Sequence, residues 1–443
     1  MKKSFIKYPY LSKDITVYER DNGHKVVFAY KEGAMANVST WVRTGSINEN
    51  DKINGISHFL EHLMFKGTHK HKAGYFDKTL EAKGAIVNAA TWKDYTFYYV
   101  TLPKGINDKD LYLALELHSD MMTDPVLPDD EIGYPFDIND ENVTQKRERH
   151  VVIEEIRMRK DQPWTKVYNN CNRNMYKNHP YKRDVIGTPE IISQVSRDEI
   201  MNYYKTFYTP KNMITIVVGD FDEEKVLKLI DKHFDFGQRA DNDSVEYQQD
   251  ESCKTTVYVE EKAQVNTGYA IIGWIGDKAC DLKSSAIMGM LSIILGDGTS
   301  SRLYQNLVEN NKDRIFNYVE SEHYQFRDGD NFFIQANFKP EKKDEALNLL
   351  KQEIAALAES EITDEEFLKA VKKVKTGLAA ASETVSDIAD MIGNAFTVLY
   401  DIKLLEEVVS VVDTITKDDL INYAKNNLNI NNAVISTLVP DEK

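Results

Sequence analysis

Short β-branched runs, separated by stretches in which apolar residues recur every three or four positions, appear in the same order twice along the chain. In the first part, Lys25 to Tyr30 and Ala36 to Thr44 read as strands bounded by turn residues. Ile56 to Lys66 reads as a helix, with Asn54 as its cap and Gly67 as the left-handed residue that ends it. Ile86 to Thr91 and Thr96 to Leu102 return as strands, and Leu111 to Met122 and Arg147 to Arg159 read as long helices. Strands, a helix, more strands, then several helices with a final strand and helix predict an α+β fold: a mostly antiparallel sheet with helices packed on it.

The pattern is a duplication. Val195 to Lys205 aligns with Ile415 to Lys425 at a constant offset of 220, matching Asp198 with Asp418, Asn202 with Asn422, Tyr203 with Tyr423 and Asn212 with Asn432. Earlier in the halves the offset is 231, with Val26 on Val257, Gly67 on Gly298 and Thr68 on Thr299. The extra residues of the first half are assigned to a surface insertion at Ile132 to Thr144. Pro128-Asp-Asp-Glu and Thr363-Asp-Glu-Glu both look like helix starts, and only the first runs into a Gly-Tyr-Pro loop. Residues 237–252 are polar and read as a linker between two homologous domains, 1–236 and 253–443.

Composition narrows the functional classes. The 443 residues are 42% hydrophobic and 28% charged, enough apolar material for a sizeable core. A net charge of -16 disfavours nucleic acid and anionic membranes as partners. Three cysteines, Cys171, Cys253 and Cys280, without C-x-x-C spacing, indicate neither a disulfide framework nor a thiolate metal site. Lys7, Tyr8, Pro9, Lys13 and Asp14 interrupt the amino terminus before any apolar run suited to export, and Ala286 to Leu295 is about half a membrane span. A cytoplasmic protein is expected.

Chemistry concentrates in Gly55 to Gly67. His58 and His62 are four apart on a helix, so both imidazoles leave one face and can share a cation. Glu61 lies on that face, where a carboxylate can move a proton between water and a leaving amine. Chance produces such an H-x-x-E-H arrangement about 0.02 times in a chain of this composition. The usual catalytic count of three protein ligands requires one more from elsewhere. On the helix beginning near Arg147, Glu148 and Glu155 share a face two turns apart while Glu154 is rotated away. Glu155 is taken as the third ligand and Glu148 as an acid behind the ligands; a solvated charged helix is the plain alternative for both.

These residues, with Gly84 to Thr91, Asp94, Thr96, Tyr99, Gly298 to Leu303 and the duplicated halves, resemble the pitrilysin, insulysin and mitochondrial processing peptidase family of zinc metallopeptidases, in its branch of short, dimer-forming subunits. The resemblance spans essentially the whole chain. It implies one zinc ion per chain on His58, His62 and Glu155, with Glu61 as general base and Glu148 as an assisting carboxylate. It further implies that Asn88, Ala89, Ala90 and Thr91 form an edge strand to which a peptide substrate adds. The second half has lost the ligands: Gly289, Ser292 and Ile293 stand opposite His58, Glu61 and His62, and Lys375 opposite Glu155. The family's supporting half carries an Arg followed by a Tyr that reach the substrate. Here Val308 occupies the Arg position and Tyr318 follows a longer segment, with Arg314 as a substitute or a related subunit, in a homodimer or heterodimer, as the source of the pair. Arg302 and Tyr304 read as helix-start packing. The implied activity is zinc-dependent endopeptidase cleavage of peptides or unfolded segments in an enclosed chamber. A noncatalytic scaffold of the same fold is the alternative, and a zinc hydrolase of phosphates or non-peptide esters is disfavoured by the lack of a Gly-rich phosphate loop.

Overall fold

The computed structural model describes residues 1–140, 147–237, 239, 245–250 and 252–441. Glu141 to Thr144 of the expected insertion, and residues 238, 240–244 and 251 of the expected linker, lie outside the described residues. The fold is α+β, with one sheet in each of two compact units.

The first sheet contains β1 (Lys2–Ile6), β2 (Ile15–Glu19), β3 (Lys25–Tyr30), β4 (Met35–Val42), β5 (Ile86–Thr91), β6 (Thr96–Pro103) and β7 (Met213–Gly219). Its order is β1-β2-β3-β7-β4-β6-β5, antiparallel except for the β3–β7 pair. The second sheet contains β8 (Val257–Ala263), β9 (Gly268–Ile275), β10 (Phe316–Tyr324), β11 (Asn331–Phe338) and β12 (Val434–Pro440) in the order β10-β11-β9-β12-β8. Its one parallel pair is β8–β12. Read from the parallel pair outward, β3-β7-β4-β6-β5 and β8-β12-β9-β11-β10 are the same topology, so the duplication seen in sequence is a duplication of sheets. The local signals repeat as well. Ser196 and Thr416, 220 positions apart, each close a capping box at the start of the helices Arg197–Phe207 and Lys417–Asn427. The strands β1 and β2 were not anticipated; they extend the first sheet beyond the duplicated unit.

The contiguous halves and the compact units are not the same division. Residues Met158–Lys182 group with the second unit and Ala379–Glu406 with the first. In the second unit the helix Pro163–Met175 lies directly on β9, where a methyl at Gly273 would come within 2.8 Å of Cys171 Sγ. In the first, the helix Val385–Thr397 lies on β4 and β7, and a methyl at Gly393 would overlap the Trp41 ring. In both cases glycine allows a helix and a sheet to approach more closely than side chains permit. The apolar core of the first unit joins Phe59, Leu60 and Leu63 to Val38, Tyr98, Val100 and Leu102 of the sheet. Among the described residues no helix is long and apolar enough to cross a membrane. Ala286 to Leu295 belongs instead to the buried helix Leu282–Leu295.

Candidate metal centre

The helix Ile56–Met64 divides its residues by period. Ile56, Phe59, Leu60 and Leu63 are buried in the core, which leaves His58, Glu61 and His62 together on the adjoining side. Its cap differs from expectation. Asn54 does not cap it: the N-cap is Gly55, left-handed at φ +95° and without a side-chain hydrogen bond to the helix. The reason is steric, since a Cβ on Gly55 would stand 2.6 Å from Ile186 O and 2.8 Å from Gly187 Cα. The Asn54 amide is used otherwise, donating to Glu49 Oε2 (2.7 Å) and to Asp184 O (2.8 Å). Past the helix, Gly67 is left-handed as expected, at φ +103°.

Glu155, on the helix Glu148–Lys160, meets both imidazoles. Its Oε2 lies 3.6 Å from His58 Nε2 and 3.5 Å from His62 Nε2, and one ligand atom from each of the three residues falls within 4.8 Å of the others. Four tetrahedral donors at the usual zinc distances stand about 3.3 Å apart. The trio is close enough to share one zinc-sized cation once its donors draw in. Its donor set, two imidazole nitrogens and a carboxylate, is the one zinc takes in catalytic sites. Glu154 faces away, exposed and paired with Arg157 at 2.6 Å.

Glu148 stands behind His62 rather than beside Glu155. Its Oε1 is 3.0 Å from His62 Nδ1, and its Oε2 accepts from Lys66 Nζ at 2.6 Å. A carboxylate at Nδ1 fixes the tautomer that leaves the Nε2 lone pair free for a metal. Burial works against charge on both groups, and their pairing outweighs it. The Glu148 carboxyl is held below its ordinary value by His62 and Lys66. His62 is pushed up to about 9 by its bonds to Glu148 and Glu155 and by the Glu61 charge. Lys66 was missed in the sequence, although its position four residues beyond His62 places it on the same helical stripe.

Glu61 is anchored from the sheet: the Thr91 hydroxyl on β5 donates to its Oε2 at 2.6 Å. β5 is the last strand of its sheet, paired with β6 alone among the described residues. Asn88 and Ala90 are exposed on one face of it, while Ala89 and Thr91 are half-buried on the face toward the helix Ile56–Met64. Tyr318 belongs to the other compact unit, on β10, with its ring edge-on to Trp164. Val308 packs against that unit's core, and Arg314 is an exposed loop residue.

The second unit is an internal control. Ser292, opposite Glu61, exchanges hydrogen bonds with Ser321 through each hydroxyl and the other's carbonyl (2.8 and 2.9 Å), stitching helix to strand where the first unit holds its carboxylate. Lys375 pairs with Asp413. Arg302 grips Glu366 through two nitrogens (2.6 and 2.9 Å), the packing role expected of it.

Comparison with known proteins matches two family profiles to the chain. The profile of the insulinase family (peptidase family M16) matches residues 25–189, and that of the peptidase M16 inactive domain matches residues 194–374. The chain is 31% identical over 421 residues to the zinc protease PqqE of Helicobacter pylori, covering 91% of this chain and 88% of that one. It is 26% identical over 392 residues to an uncharacterized zinc protease of Streptomyces coelicolor, covering 87% and 81%. The crystal structure of a protease from Helicobacter pylori superposes with a TM-score of 0.83 at 27% identity, over 99% of this chain and 100% of that one. With its fold, its duplicated sheets and its H-x-x-E-H helix all accounted for, the chain belongs to the insulinase family of peptidases, family M16.

Proposed function

We propose that this chain is a zinc-dependent endopeptidase acting on peptides or unfolded polypeptide segments, with one zinc ion on His58, His62 and Glu155. The convergence of those three ligand atoms from two separate helices, beside a Glu61 that Thr91 holds in place, carries the reading. When bound, zinc lowers the pKa of water and polarises a carbonyl. Glu61 takes the proton released by the attacking water and delivers it to the leaving amine. Thr91 keeps that carboxylate oriented, and Glu148 keeps His62 in the required tautomer. An extended substrate pairs its backbone with the free edge of β5 at Asn88 to Thr91, which selects for extended chain rather than for a particular side chain.

With Val308 at the family's Arg position, the proposal includes a related second subunit, the same chain or a homologue, that supplies the missing substrate contacts and helps enclose a chamber. Tyr318 is assigned to substrate binding in that assembly. The competing reading is a noncatalytic scaffold. Metal content and peptide cleavage separate the two when measured on the wild type and on Glu61→Gln, alone and with candidate partner subunits. The proposal expects zinc in both proteins and a cleavage rate about 10²–10⁴-fold lower in the variant. Zinc-loaded wild type that leaves a peptide panel intact, as Glu61→Gln does, supports the scaffold.

A further inference from the structure

We propose that Glu49 is a positioning residue of the metal centre, its buried carboxylate neutralising the positive pole of the helix that carries His58, Glu61 and His62. The inference rests on the zinc reading above. A helix begins with N–H groups that have no partner within it, and here the N-cap, Gly55, has no side chain to offer them. Glu49 does this from outside. It is only 4% exposed, and its Oε2 accepts from Gly55 N–H (2.7 Å) and its Oε1 from Ser57 N–H (2.9 Å). The Asn54 amide adds a third bond at 2.7 Å. Arg183 steadies the same residue by donating to the Glu49 backbone carbonyl at 2.7 Å. The Ser57 hydroxyl, itself also a hydrogen-bond partner of Glu49, bonds Tyr203, which bonds Thr44 in turn, so the first turn is fixed on two sides.

A neutral Ser, Thr or Asn would satisfy helix N–H groups without burying a charge. Burial pushes the Glu49 carboxyl above its ordinary value, opposed by the bonds that Gly55, Ser57 and Asn54 donate to it, and what a carboxylate so held adds over a neutral cap is its negative charge. That charge has a use here. The helix pole carries about half a positive charge, effective within the first turn. His58 is the third residue of the helix, so a divalent cation on its ring lies close to a pole that repels it. Glu49 cancels that repulsion and, by tying down Gly55 and Ser57, sets the register at which His58 faces Glu155. It touches none of the three ligands and has no place in proton transfer.

Cobalt(II) is a suitable probe, because its absorption reports the ligand set and its affinity is measurable by competition with a chelator. The comparison uses full-length wild type, Glu49→Gln, Glu49→Asp and Asn54→Ala, each also melted without metal. Glu49→Gln is expected to bind cobalt roughly tenfold more weakly than wild type, with the same absorption bands because the ligands are unchanged. Glu49→Asp keeps the charge and is expected to restore most of that affinity. Asn54→Ala removes bonds from the same network but no charge, and is expected to melt lower while binding cobalt within about twofold of wild type. Unchanged affinity in Glu49→Gln overturns the proposal. So does an equal loss in Asn54→Ala, which would assign the effect to general loosening, or a tenfold loss in Glu49→Asp. Wild type that takes up no cobalt defeats the zinc reading itself, and this proposal with it.

Discussion

Glu148→Gln tests whether the site is built in two layers. In the native arrangement Glu148 faces His62 Nδ1 at 3.0 Å and is itself held by Lys66 at 2.6 Å. The amide keeps the shape of the side chain and removes its charge. His62 then faces a neutral acceptor in place of a carboxylate, which holds its tautomer and raises its basicity less, and Lys66 loses its counter-ion. Loss of such a supporting group weakens metal binding by about 10–100-fold, or roughly 1.4–2.7 kcal/mol. The effect has a pH signature. Burial of His62 disfavours its charge, but Glu148, Glu155 and Glu61 together push its pKa up to about 9. Below that pH the metal-free ring holds a proton that a cation must displace, so apparent affinity rises by about tenfold per pH unit and levels off above pH 9. Glu148→Gln removes one of the groups that raise the pKa, so the levelling should begin at lower pH. Chelator competition from pH 6.5 to 10, with Glu154→Gln as an exposed control, measures both effects. A variant matching wild type in both the plateau affinity and the pH at which it begins would refute the assignment of Glu148 as a support for His62.

Three further outcomes are expected. Thr91→Val removes the 2.6 Å hydrogen bond to Glu61 and should lower kcat about tenfold with little change in KM or zinc content, as steady-state kinetics and metal analysis would reveal. His24 and His118 are fully buried, and burial depresses both to about 3 from an ordinary 6.5. The unfolded chain therefore binds more protons, and stability should fall as pH drops from about 6.5 towards 3, by about 1.4 kcal/mol per pH unit for each histidine. Urea titrations should show that slope, and a flatter one in His118→Gln. Gly187 is left-handed at φ +74°, and a methyl there would overlap Asn54 O, so Gly187→Ala should cost about 3 kcal/mol or more and also loosen the turn that precedes the helix Ile56–Met64. A melting temperature equal to wild type would remove that argument.

The duplication, the fold class and most element boundaries were legible because they are local. Strands 25–30 and 86–91 carry β-branched and turn signals in their own residues, and capping boxes at Ser196 and Thr416 are spelled within four positions. The pairing of His58 with His62 was legible for the same reason, since helical period alone places them on one side. Asn54 misled because the helix start depends on a backbone crossing by Ile186 and Gly187, more than a hundred positions away, that no local signal records.

By itself, then, the sequence determined whatever follows from period and spacing: two copies of one sheet, two imidazoles and a glutamate on one helical side, and the loss of those groups from the second copy. The sequence also singled out Glu155 and Glu148 as the acids for that side, with a solvated charged helix as the alternative, and tertiary structure decided between the two. It brought Glu155 to both imidazoles, placed Glu148 behind His62 with Lys66, set Thr91 on Glu61 and buried Glu49 at the helix start. It also decided that the helices Pro163–Met175 and Val385–Thr397 leave their own halves to pack elsewhere. The physical reason is that helical and strand periods act over a few residues, whereas a hydrogen bond between side chains dozens of positions apart exists only after the core has fixed where their backbones cross.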